Sequence, residues 1–127
     1  MGTSAKVTPE FILYVADQRR ARKFYTIVLA ADPVLDVPGM TEFDLGGALL
    51  GLMPQSDMED LLGGVVRSTG GQPCELYLRR TDADAVFARA EAAGARPLSP
   101  LTPRTWGEDV GYLLDPDDHV LAIARAA

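Results

Sequence analysis

The chain has 127 residues, of which 47% are apolar and 24% are charged, and its formal net charge is −6. This size predicts one soluble domain, and the acidic balance disfavours nucleic acid or an anionic membrane as a partner, because no basic excess is available to neutralise phosphates. No apolar run reaches the roughly 20 residues that span a bilayer, and the N-terminus lacks the apolar core of a secretory signal, so a cytoplasmic location is expected.

The first element in chain order is a strand. Apolar and other side chains alternate over residues 10–15, which predicts a strand with two distinct faces. Asp17 follows as a candidate N-cap for a helix over residues 18–30. In that helix the apolar residues recur at a spacing of three and four and the opposite face is rich in arginine.

A second group of strands follows this helix. Residues 33–37 are a short strand candidate, and residues 41–54 predict a hairpin that turns at Gly46–Gly47. Ser56 and Glu59 have the spacing of a capping box, which predicts a short helix at that point.

The pattern then begins again. A strand opens with Glu75, Asp82 is placed as an N-cap, a helix ends near Gly94, and a final hairpin turns at residues 115–118. The interval is 65 residues both from Glu10 to Glu75 and from Asp17 to Asp82. Equal intervals at two kinds of landmark indicate an internal duplication. The single domain, residues 1–127, is therefore divided into module one at about 7–54, a linker at about 55–72, and module two at about 73–127.

Two segments, FILYVADQRRARKFYTIVLA and WGEDVGYLLDPDDHVLAIA, resemble the vicinal oxygen chelate superfamily, which includes glyoxalase I, extradiol dioxygenases and the bleomycin- and fosfomycin-resistance proteins. The resemblance implies an α+β fold in which two tandem βαβββ modules form curved mixed sheets around a cavity, in a homodimer. It leaves open whether the cavity forms within one chain or by exchange of modules between two chains.

The resemblance also implies four cavity positions that hold a divalent metal in the enzymes of the superfamily. Here they are Glu10 and Glu75, at the starts of the first strands, and Gly51 and Ala122, in the last strands. A catalytic metal needs about three protein ligands, but Gly51 and Ala122 offer no donor side chain. No metal or other cofactor is therefore expected, and Glu10 and Glu75 are the ligands if a metal does bind.

Strand alternation extends this set to neighbouring side chains. Ile12 and Tyr14 share a face with Glu10, Tyr77 and Arg79 share a face with Glu75, and two aromatic residues near the second hairpin offer stacking surfaces. The candidate ligand-binding residues are Glu10, Ile12, Tyr14, Gly51, Glu75, Tyr77, Arg79, Trp106, Tyr112 and Ala122.

Structural roles are the alternative for several of these residues. The two glutamates are then exposed strand starts, Arg79 makes a surface contact or pairs with Glu75, and Trp106 covers the core. His119 is expected to be an exposed turn residue, next to Asp118, which stands where the superfamily usually has glycine.

The favoured function is metal-independent binding or sequestration of a small cationic or aromatic molecule, similar to bleomycin-resistance-type proteins and thus to antibiotic resistance. The alternative is a divalent-metal-dependent lyase, isomerase or dioxygenase of the glyoxalase type with a non-standard ligand set. A third possibility is an interaction subunit with a vestigial cavity. The expected partners are a small molecule and a second copy of the chain.

Overall fold

The computed structural model describes residues 8–64 and 74–126, so part of the expected linker, residues 65–72, lies outside the described residues. Among the described residues no helix is long and apolar enough to cross a membrane. The elements in chain order are β1 Glu10–Val15, α1 Gln18–Leu29, β2 Leu35–Val37, β3 Met40–Asp44, β4 Leu49–Pro54, α2 Gln55–Leu61, β5 Glu75–Arg80, α3 Ala83–Ala92, β6 Arg96–Pro103, β7 Asp109–Leu114 and β8 Val120–Arg125.

The strands form two four-stranded sheets with the same topology. Their strand orders are β1-β4-β3-β2 and β5-β8-β7-β6. In each sheet the first strand of the repeat pairs in parallel with the last, and the remaining neighbours are antiparallel. The predicted α+β class and the duplicated βαβββ module are therefore confirmed, and α2 is an additional helix after the first repeat.

The chain forms two compact units. Unit one contains residues 8–22 and 31–64 of the described chain, and unit two contains residues 23–30 and 74–126. The first turn of α1 therefore belongs to unit one, whereas its remainder belongs to unit two. The largest fully buried side chains of unit one are Val15, Phe43, Leu50, Leu52 and Met58, and those of unit two are Tyr25, Val28, Val86, Val110, Leu113, Leu121 and Ile123.

Helix α1 follows the sequence prediction closely. Its apolar stripe, Ala21, Phe24, Tyr25, Val28 and Leu29, is buried throughout. The Asp17 carboxylate accepts a hydrogen bond from the backbone N–H of Arg20 at 2.9 Å, as expected of an N-cap. The C-terminal end is held by Arg89 of α3, whose guanidinium donates to the Val28 carbonyl at 3.0 and 3.1 Å. These bonds satisfy a carbonyl that has no partner within the helix.

One predicted cap is wrong and another lacks its side-chain hydrogen bond. Asp82 is the N-cap residue of α3, as predicted, but its carboxylate makes no capping hydrogen bond and accepts two from the guanidinium of Arg80 instead. The Ser56–Glu59 capping box does not form. Strand β4 runs directly into α2, which begins at Gln55 after Pro54, so Ser56 lies inside the first turn rather than at the cap.

The turn at residues 115–118 is built around a buried carboxylate. Asp115 is only 3% exposed, and it accepts hydrogen bonds from the Tyr25 hydroxyl at 2.6 Å and from the backbone N–H groups of Asp117 and His119 at 2.9 Å. The His119 ring lies 2.8 Å from the same carboxylate, so His119 is a half-buried turn residue rather than the exposed one that was expected. Asp118 has φ of +65°, the conformation that explains why glycine is usual there.

Candidate functional site

In unit one the carboxylate of Glu10 occupies the space above Gly51. Strand register places Gly51 between Ile12 of β1 and Glu42 of β3, so these three residues share one face with Glu10. A Cβ atom added at Gly51 would clash with the Oε2 atom of Glu10 and would lie 3.1 and 3.2 Å from side-chain atoms of Ile12 and Met40. The missing side chain at position 51 therefore leaves room for the carboxylate of its neighbour.

Glu10 and Glu42 form a pair of carboxyl groups. The Oε2 atom of Glu10 is buried, and no hydrogen-bond donor in the described chain reaches it. Burial, together with a hydrogen bond to Glu42 and the charge of that residue, raises the pKa of Glu10 from 4.5 to about 7. Glu10 therefore keeps its proton close to neutral pH and becomes negatively charged as that proton leaves.

Sequence reasoning missed Glu42, although a signal was present. A hairpin that turns at Gly46–Gly47 brings Glu42 opposite Gly51, as the observed register confirms. The other two candidates on this face, Ile12 and Tyr14, are 42% and 40% exposed. They extend the face that carries Glu10 with accessible apolar and aromatic surface.

In unit two the equivalent last-strand position is covered by aromatic rings. Ala122 lies in register between Tyr77 of β5 and Tyr112 of β7. Ala122 is fully buried together with Val110 and Ala124, and both tyrosines pack against this group.

A second polar cluster on unit two is centred on Glu108, which sequence reasoning also missed. The Glu108 carboxylate accepts hydrogen bonds from the Tyr77 hydroxyl at 2.7 Å and from Arg79 Nε at 2.8 Å. Arg79 also lies over the Tyr77 ring at 4.8 Å, and the indole N–H of Trp106 donates to the Tyr77 hydroxyl at 3.2 Å. Hydrogen bonds from Arg79 and Tyr77 hold the pKa of Glu108 below its ordinary value.

The remaining candidates of unit two are exposed or lie near this cluster. Glu75 is exposed, and the carboxylate that pairs with Arg79 is Glu108 rather than Glu75. Trp106 is 55% exposed, so it does not cover the core. Arg104 lies over the Tyr112 ring at 5.2 Å. Whether Glu10 and Glu75 serve one ligand stays a prediction.

The family comparison agrees with this architecture. Residues 8–123 match the Glyoxalase/Bleomycin resistance protein/Dioxygenase superfamily. The chain belongs to this superfamily. An uncharacterized protein of Mycobacterium tuberculosis (strain H37Rv) is 33% identical over 114 residues, which cover 84% of this chain and 67% of that protein.

Solved structures of the superfamily fold are also similar. A glyoxalase-related enzyme from Fulvimarina pelagi has a TM-score of 0.81 at 23% identity, with 93% of this chain and 86% of that chain covered. An Agrobacterium tumefaciens protein solved by NMR has a TM-score of 0.74 at 31% identity, with 94% and 97% covered. At 23% identity the first likeness supports the fold alone.

The residues of this chain do not fit the catalytic metal that superfamily enzymes hold. Two of the four implied positions, Gly51 and Ala122, carry no donor atom in their side chains. Among the described residues there is no group of three or more histidine, cysteine, aspartate or glutamate side chains that could hold a metal ion. A catalytic metal needs about three protein ligands, and the four implied positions supply two carboxylates.

Proposed function

We propose that the protein binds a small cationic or aromatic molecule without a metal, and that it acts by sequestration rather than by catalysis. The main support is the Glu10 carboxylate above Gly51, whose buried Oε2 atom has no donor among the described residues. The proposal includes a cytoplasmic homodimer with a role similar to antibiotic resistance, and these features rest on the resemblance alone.

A ligand ammonium group would satisfy this site in two ways. Once the Glu10 side chain turns so that Oε2 is accessible, the ammonium would donate an N–H to this oxygen, where an unsatisfied acceptor costs about 1–3 kcal/mol. It would also favour loss of the Glu10 proton, because a nearby positive charge stabilises the ionised form. Binding of a cation should therefore release a proton and should strengthen as pH rises through about 7.

The exposed border of the site favours an aromatic ligand body. Ile12 and Tyr14 lie on the same face of the sheet as Glu10 and remain accessible. An aromatic ring packed against Tyr14 would bury apolar surface and gain from ring–ring contact. In unit two, considered by itself, the exposed indole of Trp106 beside Tyr77 offers a further stacking surface.

The test uses a matched pair of probes, 1-naphthylmethylammonium and the neutral 1-naphthalenemethanol, in calorimetric titrations at pH 6, 7 and 8. We expect the cation to bind more tightly at pH 8 than at pH 6, and the neutral probe to bind at least tenfold more weakly. Glu10→Gln should reduce the affinity for the cation at least tenfold. Glu91→Gln is the control, because it removes the same charge from an exposed position on α3.

Other outcomes would point to the remaining functions. If the wild type and Glu10→Gln bound both probes with equal affinity, the Glu10 carboxylate would have no part in ligand binding. A tight, stoichiometric isotherm of chelator-treated protein with nickel, cobalt, zinc or manganese would instead favour a metal-dependent lyase, isomerase or dioxygenase with a non-standard ligand set. Failure of a broad screen of cationic aromatic compounds to shift the melting temperature would favour an interaction subunit.

A further inference from the structure

A cavity of about 310 Å³ lies in unit one beside the first turn of α1. Its lining residues are Gln18, Arg19, Arg22, Asp36, Val37 and Pro38. None of them is among the candidate ligand-binding residues, and the volume is at the lower end of the range of small-molecule sites.

One wall of this cavity is fixed by the amide of Gln18. Its Nε2 donates to the Val37 carbonyl at 2.8 Å and to the Thr41 hydroxyl at 2.9 Å, and its Oε1 accepts from the N–H of Gly39 at 2.9 Å. Thr41 is fully buried and donates in turn to Asp36 at 2.9 Å. Side chains that share such a network are held in place before a ligand arrives, which lowers the entropy cost of binding.

The charge of the cavity is opposite to that of the protein. Arg22 Nε lies 3.4 Å from Asp36 Oδ2, so one carboxylate is matched by one guanidinium. Arg19 is exposed and forms no ion pair with any residue of the described chain. The lining therefore has one excess positive charge, in a chain whose net charge is −6.

We propose that this cavity binds the oxyanion group of a small organic acid, a carboxylate or a phosphate monoester with a short apolar body. Guanidinium groups present paired N–H donors that match such oxyanions. Arg19 and the N–H groups of Arg22 that do not face Asp36 contact the oxyanion, and Val37 and Pro38 contact the apolar body. This site is independent of Glu10 and takes ligands of the opposite charge.

The test is a titration of ¹⁵N-labelled protein with benzoate, with phenyl phosphate and with neutral benzyl alcohol, followed by NMR. We expect saturable shifts at the Gly39 amide and the Arg19 side chain with at least one of the two anions, and none with benzyl alcohol. Saturation by benzoate alone identifies a carboxylate site, and saturation by phenyl phosphate alone identifies a phosphate site.

The matched variants are Arg19→Gln and Arg20→Gln. They remove the same charge from neighbouring positions of one helix, but only Arg19 lines the cavity. We expect Arg19→Gln to weaken binding at least fivefold and Arg20→Gln to weaken it less than twofold. Equal losses would show general attraction to a basic helix face and would overturn the proposal. Shifts that do not saturate by 20 mM of either anion, at roughly physiological ionic strength, would also overturn it.

Discussion

The raised pKa of Glu10 makes the stability of the folded protein depend on pH in a direction unusual for a carboxyl group. The folded state holds the Glu10 proton up to about pH 7, whereas the unfolded chain releases it near 4.5. Between these values the folded state binds more protons, so the free energy of unfolding falls as pH rises. Most carboxyl groups in folded proteins contribute in the opposite sense.

The structure sets the size of this effect. The rise from 4.5 to about 7, at about 1.4 kcal/mol for each pH unit, gives an upper limit of about 3.5 kcal/mol. Because Glu10 is only half-buried, screening by water reduces this to about 1–2 kcal/mol. Glu10→Gln removes the titrating group and should equal the wild type near pH 5. At pH 8 the variant should be more stable by that amount.

The assay is urea unfolding of the wild type and Glu10→Gln at pH 5, 6, 7 and 8. All other groups titrate alike in the two proteins, so their effects cancel in the difference between the two free energies of unfolding. Glu42→Gln should give a similar gain, because its amide can donate to the Glu10 carboxylate. Glu75→Gln, at the equivalent but exposed position of the second repeat, should parallel the wild type. A difference between wild type and Glu10→Gln that is constant from pH 5 to pH 8 would refute the reasoning.

Three further substitutions test other parts of the structure. Gly51→Ala should push the Glu10 carboxylate into water, so that its pKa returns toward 4.5 in a ¹³C NMR titration while stability changes by less than about 1 kcal/mol. Asp115→Asn should cost about 1–3 kcal/mol in urea unfolding at pH 7. Burial acts to raise the pKa of Asp115, but its hydrogen bonds hold the pKa below the ordinary value. The wild type should therefore lose the stabilisation from the ionised carboxylate as pH falls below about 4, whereas Asp115→Asn has none to lose. Arg89→Leu should cost about 1–2 kcal/mol, measured in the same way, because it leaves the Val28 carbonyl without a donor.

Features that depend on local periodicity could be predicted from the sequence. The interval of 65 residues between Glu10 and Glu75 predicted two equivalent modules, and both sheets have the same strand order. The buried stripe of α1 followed from its spacing alone. Asp17 forms the predicted capping hydrogen bond, whereas Asp82 lies at the predicted N-cap position without one. The same residue type can bind the helix or an arginine, and sequence does not say which.

Features that depend on contacts between distant residues were not predicted. Glu108 lies 31 residues from Tyr77 and becomes its acceptor only when the loop after β6 packs against β5. Glu42 required the register of a hairpin, and a shift of one residue would have turned its side chain to the opposite face. The site residues most informative about function are therefore among those that sequence alone left out.

Gly51 and Ala122 carry no metal-binding side chain, but the space beside each of them is filled by other side chains. At Gly51 the space is taken by the Glu10 carboxylate, and at Ala122 it is covered by Tyr77 and Tyr112. Each unit is closely packed around its small residue, since close packing in proteins leaves few vacancies. In unit one this packing buries a carboxylate oxygen that has no donor among the described residues, which costs folding free energy. A ligand cation would recover that cost on binding, and this links the absence of a side chain at Gly51 to the proposed capture of a cation.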